Sequence, residues 1–173
     1  MVWRPSGLQR YFPDPVLPSI SGAPIRVTIR ASLGPHLGAT SIPHRIIYLD
    51  REVLAGNGDF ERILVHELFH FAWVRLSNEA RRDWEKLLEA EMRRRVKGEL
   101  GWSAELRKLK LTRRDIKDRT TIWRHYACES FCDSAARMYS GLVAHDEFTL
   151  PKREIRRRAA WMAQTFESRG LRL

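Results

Sequence analysis

The 173-residue chain carries only two cysteines, has no run of about eighteen apolar residues, and shows no internal repeat or low-complexity tract. Each absence excludes something. Cys128 and Cys132 stand four apart in a stretch that reads as helix, where side-chain geometry disfavours a disulfide. Reduced core thiols are therefore expected, not a cross-linked secreted scaffold. Without a long apolar run, no helix is expected to span a membrane. The opening residues, Met1-Val2-Trp3-Arg4-Pro5, lack the apolar core of a signal peptide, and the sequence reads as that of a cytoplasmic protein. Negative charge is also scarce: 31 Lys and Arg face 21 Asp and Glu, a formal net charge of +10. That excess implies an acidic partner, whether an acidic peptide or protein substrate, nucleic acid or an anionic surface, without choosing among them. The positive charge gathers in residues 93–97, 107–119 and 152–158, all in helical stretches, where each run also reads as a solvated face.

A hydrophobic content of 43% and six tryptophans suit one domain with a proper core. Residues 1–24 contain Pro5, Pro13, Pro15, Pro18 and Pro24, which exclude regular helix and suggest an extended arm. Residues 25–173 then form a single domain. Ile25-Arg26-Val27-Thr28-Ile29-Arg30 alternates apolar and polar, the mark of a half-buried strand, and residues 45–50 give a second strand after a Gly- and Pro-containing loop over 32–43. Two strands alone are marginal, so a small sheet is expected to pack on a helix. Everything beyond reads as helix: 60–76 with Asp59 as N-cap, 78–97 capped by Ser77 or Asn78, 103–110, a short segment with a Thr112/Asp115 capping box, 119–140, and a last helix with Thr149 as N-cap and Pro151 in its first turn. The fold class is α+β, predominantly helical.

The most informative stretch is Ile63-Leu64-Val65-His66-Glu67-Leu68-Phe69-His70-Phe71-Ala72-Trp73, which holds H-E-x-x-H in an otherwise apolar run. Residues four apart share one helix face, about 6 Å apart along the axis, so His66 and His70 can offer two imidazoles to one zinc ion. Glu67 sits beside that face, placed to reach a metal-held water as general base. The helix reads as apolar nearly all round, hence buried, and buried histidines need partners. The blander reading is a core helix whose histidines are satisfied by hydrogen bonds.

A second informative helix carries Glu129 and Asp133, four apart. Buried carboxylates need cations, so Glu129 is assigned as third zinc ligand and Asp133 as the acceptor that orients a ligand histidine through its other ring nitrogen. Salt bridges to the many arginines are the competing reading. Tyr126 and His145 are candidate catalytic donors to a developing oxyanion, with Tyr139 and Arg137 also in reach.

With His66-Glu67-Leu68-Phe69-His70 followed by Glu129-Ser130-Phe131-Cys132-Asp133, the chain resembles the gluzincin branch of the zincin metallopeptidases. The resemblance implies a zincin-like fold with a buried active-site helix, a glutamate helix, and an upstream strand, here residues 45–50, that binds substrate in extended form. It implies one zinc ion on His66, His70 and Glu129. The same motifs are similar to small bacterial metallopeptidases that cleave DNA-bound repressors. SprT-like proteases, which act on DNA-bound proteins, use a histidine as third ligand, a part that His125 or His145 would play here. The expected activity is zinc-dependent hydrolysis of peptide bonds. The rival is a basic nucleic-acid-associated protein whose zinc is structural or regulatory, with Trp102 and Trp123 stacking on bases.

Overall fold

The computed structural model describes residues 17–55, 58–166 and 170–173. It is α+β and predominantly helical. Strands β1 (Ile20–Ser21), β2 (Arg26–Arg30), β3 (Gly38–Ser41) and β4 (Ile46–Asp50) precede helices α1 (Asp59–Arg75), α2 (Asn78–Arg93), α3 (Trp102–Leu109), α4 (Arg113–Asp118), α5 (Thr121–Tyr139) and α6 (Lys152–Phe166), and β5 (Leu171–Arg172) closes the chain. Of the expected arm over 1–24, residues 1–16 lie outside the described residues; Ile20 and Ser21 pair in parallel with Leu171 and Arg172.

The main sheet has the order β2-β4-β3, with β2 parallel and β3 antiparallel to β4. Strand β3 was not legible: Gly38-Ala39-Thr40-Ser41 has almost no hydrophobic signal and lies in the stretch read as a loop. It makes β4 the central strand, which corrects the expectation that residues 45–50 offer a substrate a free edge. Both edges of β4 are paired, and its Ile47 and Leu49 are fully buried. The edge beside α1 belongs to β3. The strand comes very close to the helix at Gly38, where a β-carbon would stand 2.6 Å from Ile63 Cγ2 and 2.9 Å from Glu67 Cγ.

Helix α1 is buried because it is apolar on several faces at once. Leu64, Val65, Leu68, Phe69 and Phe71 are all 1% exposed or less. Its main neighbour is α5, and Phe131 of α5 stands among the rings of Phe69, Trp73, Trp84, Trp161 and Phe166 at 5.2 to 6.2 Å between centroids. Such a packed aromatic position contributes about 3–5 kcal/mol relative to alanine. The indole of Trp84 in α2 donates to the Ala127 carbonyl at 3.0 Å, which fixes α2 against α5.

Several helix ends differ from expectation. Gly58, with φ 77°, is the N-cap of α1, and Asp59 is its first residue. The Asp59 carboxylate is engaged by Arg62 at 2.7 Å instead of by backbone N–H groups. Ser77 does cap α2, accepting from Ala80 N–H, but the helix stops at Arg93. Beyond it the chain turns through Arg95, at φ 55°, so that Glu91 and Glu99 both reach Arg158. The capping box of Thr112 and Asp115 is present. At α6 the first carbonyl to accept is that of Pro151, from Glu154 and Ile155 N–H groups at 2.9 and 3.1 Å. Thr149 is occupied with Glu99, accepting from its N–H at 3.0 Å.

Arg158 itself is fully buried, within 2.6 Å of Glu91 and 2.7 Å of Glu99. One cation of the 152–158 run is thus internal. Among the described residues, no helix is long and apolar enough to cross a membrane.

Candidate metal centre

Helices α1 and α5 face each other with matched spacings. On α1 His66 and His70 are one turn apart; on α5 so are Cys128 and Cys132, and so are Glu129 and Asp133. The contact brings them together. His66 Nδ1 lies 2.7 Å from Asp133 Oδ1. An ionised carboxylate only accepts, so Nδ1 carries the proton and Nε2 is left with a lone pair. Nε2 faces Glu129 Oε2 at 3.3 Å. Two acceptors at that distance repel unless positive charge lies between them, as a proton or a metal ion.

The surrounding charges all favour a cation there. Burial pushes the His66 pKa down, yet Asp133, Glu129 and Glu67 together raise it well above its ordinary value. Burial would lift Glu129, but His66, His70 and Arg107 hold it at about 2. Arg107 reaches its other oxygen at 3.4 Å.

His70 is held in parallel fashion, its Nδ1 3.5 Å from Cys128 Sγ. A hydrogen bond from the Cys132 thiol, with burial opposing and His70 assisting, pulls Cys128 down to about 6. Burial pushes the Cys132 thiol well up. Cys128 is then the acceptor for both neighbours, and His70 also presents Nε2. Two donor sets follow. Single ligand atoms of His66, His70 and Cys132 lie within 4.8 Å of one another, and Glu129 approaches His66 as described. Of the two, Glu129 is the better donor, since it is already anionic whereas the Cys132 proton is engaged with Cys128. Two imidazoles, a carboxylate and a carboxylate behind one imidazole fit a divalent ion such as zinc by donor chemistry.

Glu67, next to His66, turns toward β3. Thr40 Oγ1 on β3 is 2.6 Å from Glu67 Oε2 and 3.0 Å from its carbonyl oxygen. A cavity of about 210 Å³ opens beside His66 and Glu67, bounded by Leu37, Ile63, Trp102 and Asp133, with Arg62 and Glu147 also in its wall. Of the candidate ligands His66 lines this cavity together with Glu67, so a metal ion held there would stand near a carboxylate able to take a proton from water.

The candidate donors Tyr126 and His145 are not brought to this cluster. Tyr126 is fully buried and donates to Glu99 at 2.6 Å. Its hydroxyl belongs to the Arg158 network because Glu99, which Arg158 holds, captures it, although position 126 is only about 60° round α5 from Glu129. His145 accepts from Glu147 N–H at 3.2 Å and lies 3.4 Å from Asp59. It braces the wall in which Glu147 meets Arg62 at 3.0 Å. His125 is exposed on α5. Missed from sequence were Thr40, in a segment without strand signal, and Gly101, which reads as a helix terminator but borders Asp133. The repeated four-residue spacing of Cys128/Cys132 with Glu129/Asp133 was the available signal for the cysteines' place.

None of the protein families, curated proteins or solved structures compared with the chain matches it.

Proposed function

We propose that the protein is a zinc-dependent metallopeptidase of gluzincin-like design, with His66, His70 and Glu129 as zinc ligands. The observation that carries this reading is the 3.3 Å approach of Glu129 to His66 Nε2 while Asp133 holds the other ring nitrogen at 2.7 Å. A bound zinc ion supplies Lewis acidity toward a water and a peptide carbonyl.

The chain's own groups do the rest. Asp133 fixes the His66 tautomer and ring plane. Glu67 accepts the proton of the attacking water and delivers it to the leaving amine; the Thr40 hydroxyl on Oε2 leaves Oε1 for that exchange. Substrate backbone adds to the outer edge of β3, next to the cavity. A buried H-E-x-x-H helix between a small sheet and a glutamate-bearing helix supports a zincin-like fold by analogy.

A second reading, a closed structural metal site in a nucleic-acid-associated protein, is favoured by the proximity of Cys132 to both histidines. It leaves Glu67 and the cavity without a task. The test is a peptide-library digest by zinc-loaded wild type, chelated wild type and Glu67→Gln. Cleavage that needs zinc and falls at least ~100-fold in Glu67→Gln, with zinc still bound, supports the peptidase. Cleavage equal in Glu67→Gln and wild type sinks it.

A further inference from the structure

Two of the three basic runs converge on one groove away from the metal centre. Between the end of α2 and α4 lies a cleft of about 780 Å³, lined by Arg93 and Arg95 on one wall and Arg113, Lys117 and Arg119 on the other. Its one acidic lining residue is Glu89, which meets Arg119 at 3.2 Å and Arg93 at 3.8 Å. Arg95, Arg113 and Lys117 are exposed and make no side-chain hydrogen bond or ion pair among the described residues. The third basic run is different. Glu154 takes Arg94 and Arg157 at 2.7 and 3.1 Å, and Arg158 is internal.

Two of the three described non-glycine residues with positive φ line the same cleft, the third being Arg45 beside the sheet. Arg95 and Arg119 both have positive φ, 55° and 49°, in the left-handed region that glycine would occupy more easily. Each follows the end of a helix, and each turns a guanidinium toward the groove. Arginine at both turns keeps a forked cation on each wall, that of Arg119 already paired with Glu85 and Glu89. Such forks match the oxygens of a phosphate better than an ammonium does.

We propose that this groove binds the phosphodiester backbone of a single nucleic-acid strand. Cations on facing walls converge on one line of negative charge, and a recessed site does not meet a flat bilayer. Met92 and Ile116 line the floor and give apolar surface to sugars. Among the described residues no aromatic ring lines the groove, so it offers no base stacking and sequence preference is expected to be small. This inference is independent of the peptidase reading.

The experiment is fluorescence anisotropy of a labelled single-stranded oligothymidylate, titrated with wild type over a salt series. Contact with three to four phosphates gives a slope of log affinity on log salt of about −2 to −3. Arg95→Glu combined with Lys117→Glu weakens binding at least ~10-fold at unchanged circular dichroism, and Arg113→Glu, a second exposed position, weakens it as well. Lys152→Glu with Arg153→Glu, and Glu67→Gln, bind as wild type. The proposal is overturned if wild type does not bind, or if the groove variants bind as tightly as wild type. It is also overturned if polyglutamate or phosphatidylserine vesicles displace the oligonucleotide at equal charge concentration, which would make this an acidic-peptide or membrane surface.

Discussion

The carboxylate of Asp133 is clamped between His66 and the start of α3. One oxygen lies 2.7 Å from His66 Nδ1 and the other accepts the Ala104 N–H at 3.1 Å. Gly101 closes the remaining side: a β-carbon there would stand 2.3 to 2.4 Å from all three carboxylate atoms. Its φ of −177° is extended backbone open to any residue, so the need for glycine is steric and its cause is Asp133. Gly101→Ala is therefore expected to displace the carboxylate and loosen the metal 10- to 100-fold, the usual cost of losing a partner behind a ligand histidine. Zinc affinity by competition with a chromogenic chelator checks it. Unchanged affinity in both Gly101→Ala and Asp133→Asn would remove Asp133 from the site's support.

Thr40 holds Glu67 from a strand, not from the helix. The 2.6 Å hydrogen bond to Oε2 fixes the rotamer of the proposed base, while the proposed zinc ligands are other residues. Thr40→Val keeps the shape and removes the donor. Its turnover is expected to fall ~10-fold or more, within the range general-base positioning supplies, with zinc stoichiometry unaltered. Loss of zinc from Thr40→Val would mean that the strand supports the metal as well.

The buried Arg158 network gives the fold an acid-sensitive carboxylate in Glu99. Burial alone would raise the Glu99 carboxyl, but Arg158, Lys108 and the Tyr126 hydroxyl hold it at about 2, against an ordinary value of 4.5. A carboxylate depressed in the folded state contributes stability that is full above about pH 4.5 and is lost as pH falls toward about 2. The depression is worth on the order of 3 kcal/mol. Urea unfolding of wild type between those limits should show a falling stability, and Glu99→Gln, which cannot titrate, a flatter profile. Equal slopes would place the acid sensitivity elsewhere. Arg158→Met leaves Glu91 buried without its cation and Glu99 with Lys108 alone, and is expected to cost about 3–5 kcal/mol at neutral pH.

The parts of this protein that were legible in the sequence are those with a period. The His66/His70 and Glu129/Asp133 spacings place four side chains on two helix faces, and the apolar character around His66 shows that its helix is buried. Strand β3 was not legible because Gly38 and Thr40 are chosen for their approach to α1, which leaves no alternation to read. Tyr126 illustrates the opposite error. Three residues before Glu129 on α5 it is near the site in helical angle, but its hydroxyl is taken by Glu99 in the network of Arg158, whose burial nothing in a run of basic residues discloses. Gly101 and Arg95 owe their roles to contacts distant in sequence.

The choice between Glu129 and Cys132 as the third donor decides what kind of site α1 and α5 make. Glu129 is on the same side of α5 as Asp133 and is already ionised beside Arg107; Cys132 is fully buried and keeps its proton, which it donates in a hydrogen bond to Cys128. A carboxylate third donor would suit a hydrolytic site, whereas a buried thiolate donor would suit a structural one. Glu129→Ala is accordingly expected to release zinc under mild chelation, while Cys132→Ala retains one ion per chain and keeps its activity. Cobalt substitution reports the ligands directly, because a thiolate adds an intense near-ultraviolet charge-transfer band that carboxylate and imidazole lack. If that band is present in wild type and absent in Cys132→Ala, sulfur is a ligand, and the open hydrolytic site gives way to a structural one.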